Sequence, residues 1–164
     1  MSMTQKPNRP DRRALSSAAR LYAVQALFQM EAAGQGADRV QREFLSYRIG
    51  VEDEAGEHPE ADETLFSRIV DDAVMWQSRI DQATDRGLVA KWPIDRIDPV
   101  LRALFRAAGA ELTTPATPPK VVITEYVRLA EAFFPEGREP KFVNAVLDHV
   151  AREMRPDAFT RRAD

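Results

Sequence analysis

The stretch that most constrains the fold runs from Arg12 to Ala33, RRALSSAARLYAVQALFQMEAA. Read at about 100° per residue, Leu15, Ala18, Ala19, Tyr22, Ala26 and Met30 form one apolar stripe, and Leu21, Val24 and Phe28 form a second beside it. A helix that is hydrophobic on two sides needs several neighbours, because exposing either stripe forfeits about 25 cal/mol per Å² of apolar area. Other helices are therefore expected to gather around this one. Its polar remainder also carries information. Arg9, Arg13, Ser16 or Ser17, and Arg20 recur at intervals of three or four, and together with Arg12 they form a basic ridge at the N-terminal end. A helix dipole disfavours cations there, so the arginines point to an anion from outside.

At 164 residues and 44% hydrophobic composition, the chain has the length of one domain, enough to bury a proper core. No run approaches the roughly 18 apolar residues of a membrane span, and MSMTQKPNRPDRR lacks the apolar core of a secretory signal. The expectation is a cytoplasmic chain with no membrane contact. The absence of cysteine excludes disulfides, thiolate catalysis and cysteine-based zinc sites, and His58 and His149 alone make no imidazole cluster for a metal. No cofactor is expected. A net charge of -3 argues against indiscriminate coating of nucleic acid, but charge is unevenly placed. Residues 1–20 carry Lys6, Arg9, Arg12, Arg13 and Arg20 against Asp11 alone, whereas Glu52 to Glu63 holds seven acids and no Lys or Arg.

In chain order, residues 1–10 read as a flexible basic arm and 11–164 as one domain. Within it, 11–80 forms an N-terminal helical lobe, 81–155 a C-terminal one and 156–164 a tail. Asp11 caps the first helix, Gly34 and Gly36 end it, and Asp38 caps a second with Val40, Phe44, Leu45 and Ile49 inward. Gly50 to Ala61 has too few apolar residues to pack and reads as an exposed loop. A third helix from about Asp62 runs with Leu65, Phe66, Ile69, Val70, Ala73, Val74 and Ile80 on its inner side. Asp81 to Lys91 is a less patterned helix, broken at Trp92-Pro93. Asp98-Pro99 is a strong start for the next, with Leu101, Leu104, Phe105, Ala108 and Leu112 on one face. TTPATPP then forms a rigid connection, and Lys120 to Phe134 and a helix from Pro140 or Lys141 complete the set. Only the three residues VVI resemble a strand, so the fold class is all-α, about seven helices in two packed lobes.

A search for catalytic patterns finds no GxGxxG, GxxxxGK, HExxH or nucleophile elbow, and no catalytic residue is assigned. The acid pairs Asp71-Asp72 and Asp81-Asp85 sit at helix-surface spacing and read as solvated faces.

Three segments carry a resemblance: AARLYAVQALFQME at 18–31, DPVLRALFRAAGAEL at 98–112, and VVITEYVRLAEAFFPEGREPKFVNAVLDHVA at 121–151. In this order they resemble the NusB family of bacterial transcription antitermination factors, over nearly the whole chain. The resemblance implies an all-helical fold of two lobes and no enzymatic activity. It implies binding of a single-stranded boxA element in ribosomal RNA transcripts, jointly with a small-subunit ribosomal protein acting as NusE. It also implies a complex with NusA and NusG that lets RNA polymerase read through terminators.

Single-stranded RNA needs cations for its phosphates and flat side chains for unstacked bases. Arg12, Arg13 and Arg20 are the ridge candidates, although Ser16, Ser17 and Ala18 stand where the family often has arginine. Phe28 stands where it often has tyrosine, and Glu131 where it often has lysine. Lys141 opens a helix against its own dipole, which favours phosphate binding. Phe142 either packs into the core or stacks on a base, and its place beside a complete packing stripe points to an exposed stacking ring. Asn144, in the first turn, either satisfies a backbone group or touches RNA. For the ribosomal partner, the side of the helix bearing Asp98, Arg102 and Arg106 is the expected interface. Two other readings remain: a domain related to the N-terminal part of ribosomal RNA cytosine methyltransferases without its catalytic part, and a helical scaffold that binds protein alone.

Overall fold

The computed structural model describes residues 11–92 and 97–160. The basic arm at residues 1–10, Pro93 after Trp92, and the last four residues of the tail lie outside the described residues. Seven helices follow one another: α1 (Arg12–Ala33), α2 (Ala37–Tyr47), α3 (Glu63–Met75), α4 (Gln77–Lys91), α5 (Pro99–Leu112), α6 (Pro119–Phe133) and α7 (Glu139–Met154). A short 3-10 turn, Pro156–Phe159, closes the described chain.

Local chemistry sets most boundaries. Asp11 accepts from the Ala14 N–H at the start of α1, and Gly34 ends it with φ 64°, a left-handed conformation that costs glycine nothing. Asp62 caps α3 through the Leu65 N–H, and Asp98 caps α5 through Val100 with Pro99 in the first turn. Pro119 likewise opens α6, one residue before the expected start, because a first-turn residue needs no N–H.

Three expectations are corrected. Gly36, not Asp38, caps α2, and Asp38 lies in its first turn. The segment 50–61 is exposed but contains a two-residue antiparallel hairpin, β1 (Glu52–Asp53) with β2 (Gly56–Glu57). Finally, the third expected helix is two: it breaks at Trp76, and Ile80 belongs to α4. Ala73 and Ile80 are seven residues apart, two helical turns, so the apolar phase passes across the break and hides it from sequence periodicity.

The core is one continuous apolar cluster from Ala19 to Met154. α1 packs against α2, α3, α5 and α6, as its two stripes require. α5 is at least as central, meeting α1, α3, α4, α6 and α7. Ten of its fourteen residues are buried, many of them alanines, and small side chains let so many helices approach one axis. Gly109 marks the closest approach: a Cβ there would stand 2.4 Å from Ile80 Cγ2 of α4. The second stripe of α1 is only partly covered, since Val24 is buried whereas Phe28 is 38% exposed.

Candidate nucleic-acid interface

The N-terminal halves of α1 and α6 face each other across an open groove lined by Arg12, Arg13, Ser16 and Arg20 from one side and Lys120, Val121, Thr124 and Glu125 from the other. Farther along the same two helices, Val24, Phe28, Ala32 and Ala33 of α1 meet Phe133 of α6, with Val100 of α5 and Arg48, around a second, largely apolar groove. The start of α1 thus pairs with the start of α6 and the end with the end, so one seam has a basic half and an apolar half.

Burial and pairing decide which cations face the solvent. Arg12, Arg13 and Lys120 are exposed, and none makes an ion pair among the described residues. Arg20 is different and corrects the expected ridge. It is buried, donating from Nε to Glu111 Oε2 at 2.8 Å and from Nη2 to Glu111 Oε1 at 3.0 Å, with Glu125 Oε2 at 3.9 Å from Nη1. Burial alone would lower the Arg20 guanidinium, but its hydrogen bonds and charge contact with Glu111 more than offset this and raise it. Arg20 is the floor of the groove and its bolt to α5, buried and with its Nε–Nη2 fork spent on Glu111. Ser17 joins the same network by donating to Glu125 Oε2 at 3.0 Å.

The other expected site residues fall in three places. Phe28 opens onto the apolar half of the seam. Lys141 is exposed in the first turn of α7, outside the lining of either groove. Phe142 is half-buried and tilted against the buried Trp92, with ring centroids 5.2 Å apart, so the expectation of an exposed stacking ring is corrected. The stripe of α7 left room for one more aromatic because the end of α4 supplies Trp92 beside it. Neighbouring Asn144 is exposed.

Asp98, Arg102 and Arg106 are also accounted for within the chain. Asp98 is the cap of α5. Arg106 forks onto Asp81 at 3.1 and 3.0 Å, with Glu31 at 3.6 Å, and these carboxylates, Asp81 first, raise its guanidinium. Arg102 reaches Glu31 at 2.5 Å. The two arginines clamp α5 to α1 and α4; the Arg106 side chain is largely covered, whereas Asp98 and Arg102 remain exposed.

Sequence reasoning missed Lys120, Thr124 and Glu125. A signal existed for Lys120, which opens a helix as a cation, the same anomaly that singled out Arg13 and Lys141. That it faces Arg12 and Arg13 depends on how α1 and α6 pack, which no local pattern encodes.

Fold and groove define a class: a small all-helical protein whose first helix presents a cation-lined groove with a buried ionic floor. The NusB family profile matches residues 17–152. The chain is 47% identical over 161 residues to the transcription antitermination protein NusB of Maricaulis maris (strain MCS10), covering 97% of this chain and 100% of that one. It is 45% identical to the NusB of Granulibacter bethesdensis over 87% of this chain and 91% of that one. Among solved structures, T. maritima NusB superposes with a TM-score of 0.67 at 28% identity, covering 87% of this chain and 95% of that one. A chain in a crystal structure described as a plectonemic RNA supercoil superposes with the same TM-score at 25% identity, covering 84% and 94%. The chain belongs to the NusB family.

Proposed function

We propose that this chain is a transcription antitermination factor that holds single-stranded RNA of the boxA type in the basic half of the α1–α6 seam. The carrying observation is that Arg12, Arg13 and Lys120 converge on one groove from helices over a hundred residues apart, in a chain of net charge -3, and stand unpaired among the described residues. Most other arginines near the core are paired internally, as Arg20, Arg102 and Arg106 are. Three free cations gathered on one groove suit a backbone of phosphates. The apolar half suits a protein partner, because exposed Phe28 beside Val100 and Phe133 offers an aromatic anchor. That partner is the small-subunit ribosomal protein acting as NusE, and the assembly works with NusA, NusG and RNA polymerase in the cytoplasm.

The test is the salt dependence of RNA binding. Replacing Arg12, Arg13 and Lys120 together with alanine flattens the slope of log affinity against log salt by about 2, at about 0.7 per lost phosphate contact on a single strand. An unchanged slope removes the groove from the site.

A further inference from the structure

The basic groove has a carboxylate at its floor, and phosphates alone do not explain it. Glu125 lines the groove and is only 8% exposed. Its Oε2 is occupied by the Ser17 hydroxyl and faces Arg20. Its Oε1 accepts no hydrogen bond among the described residues, its nearest cation being Arg128 Nη1 at 3.9 Å. Arg20 is already bonded in both its Nε and Nη2 positions to Glu111, so Glu125 is the surplus carboxylate of the buried network.

We propose that Glu125 Oε1 reads the base lying in this groove by accepting from an exocyclic amine, so that the groove distinguishes amine-bearing bases from uracil. The inference rests on the RNA reading above. A carboxylate repels phosphate, so the strand's backbone is kept to the rim at Arg12, Arg13 and Lys120 and a base is turned inward. Ionised carboxylates are acceptors only, and the cytosine N4 amine is a donor that they take. Uracil presents a carbonyl oxygen at that position, and its single N–H lies between two carbonyls that a carboxylate repels. Single-stranded RNA exposes these edges because its bases are unstacked. Ser16 and Thr124 also line the groove, but their hydroxyls are neutral and that of Thr124 donates to the Lys120 carbonyl at 2.8 Å, so Glu125 is the charged acceptor of the lining.

The experiment uses the full chain and three oligoribonucleotide nonamers: all cytidine, all uridine, and all pyrimidin-2-one riboside, the cytidine analogue with hydrogen in place of the 4-amino group. Their backbones are the same, so the cations treat all three alike and the ratio of affinities isolates the floor. Wild type is expected to bind the cytidine nonamer on the order of tenfold more tightly than either of the others, as a hydrogen bond to a charged group gives. Glu125→Gln keeps the shape and can offer its amide N–H to the uracil carbonyl, so it brings the cytidine to uridine ratio to one or below. Equal wild-type affinity for all three nonamers, with a steep salt dependence retained, overturns the base reading and leaves the phosphate groove standing. Absence of salt-dependent binding to any of them overturns both. Because the nonamer lacking the 4-amino group tests wild type, the result does not depend on how well the variant folds.

Discussion

Arg20 on α1 and Glu111 on α5 meet fork to fork, 91 residues apart in the chain, with side chains 7% and 4% exposed. A bidentate pair of this kind fixes both distance and rotation between two helices. Removing one partner leaves the other charged and buried, so Arg20→Ala is expected to cost roughly 3–5 kcal/mol in a denaturant titration. Arg20→Lys keeps the charge but loses the fork, and falls between. In either variant, the folded fraction should retain the wild-type salt slope for RNA, since Arg20 is only 6% exposed and its charge is already matched by Glu111. A slope lowered by about 0.7 with stability intact would put Arg20 back on the ridge.

Periodicity and caps made the helices legible. Asp11, Asp62 and Asp98 each announced a start, and Gly34 an end, because a helix terminus is a local problem with a local solution. The break at Trp76 was invisible, because seven residues separate Ala73 from Ile80 and the stripe keeps its phase. The site was legible only in part. Arg12, Arg13 and Arg20 look alike at helical spacing, but burial depends on which residue of a distant helix arrives opposite. Glu111 took Arg20 inside, and nothing within α1 foretells it. Arg106 was similarly withdrawn by Asp81 and Glu31.

Phe142 and Trp92 give the second prediction. Phe142→Ala removes a half-buried ring from its contact with Trp92 and is expected to cost roughly 2–3 kcal/mol, less than the 3–5 kcal/mol of a fully enclosed phenylalanine. A thermal melt followed by tryptophan fluorescence reads both the loss and the changed surroundings of Trp92. An unchanged melting temperature, with RNA affinity reduced on the order of tenfold, would restore a stacking role to this ring.

The apolar half of the seam gives the third. Phe28→Glu places a charge at a position already 38% exposed, so the fold should lose less than about 1 kcal/mol. Association with the proposed ribosomal partner should fall by at least tenfold, since the aromatic anchor proposed for it is lost and a charge is put in its place. Arg102→Glu, by contrast, breaks a clamp to Glu31 on the outer side of α5 and should weaken association far less. Equal losses from both, measured by calorimetry with the purified ribosomal protein, would return the interface to the face of α5 that carries the arginines.

The last prediction concerns alkaline stability and begins at Tyr126. Its side chain is wholly enclosed, and its hydroxyl oxygen is buried without a hydrogen-bond partner among the described residues. Burial, reinforced by the negative charge of Glu111, raises its phenol well above the usual tyrosine range. In the unfolded chain the same phenol releases its proton near pH 10. Above that pH the unfolded state binds fewer protons than the native state, so stability falls as pH rises. Each further pH unit costs about 1.4 kcal/mol from this group until the native phenol also ionises, and below pH 10 the group contributes no slope. Tyr126→Phe removes the term. It also deletes an unmatched buried oxygen while keeping the ring, so the stability at pH 7 should change little or rise. Tyr22 is raised by burial as well, with its hydroxyl donating to the Pro59 carbonyl at 2.7 Å, so an alkaline fall remains in the variant, but a shallower one. Urea titrations of wild type and Tyr126→Phe at pH 8, 10 and 11 decide it: parallel curves of stability against pH would mean that Tyr126 ionises as easily inside the fold as outside, against its complete burial.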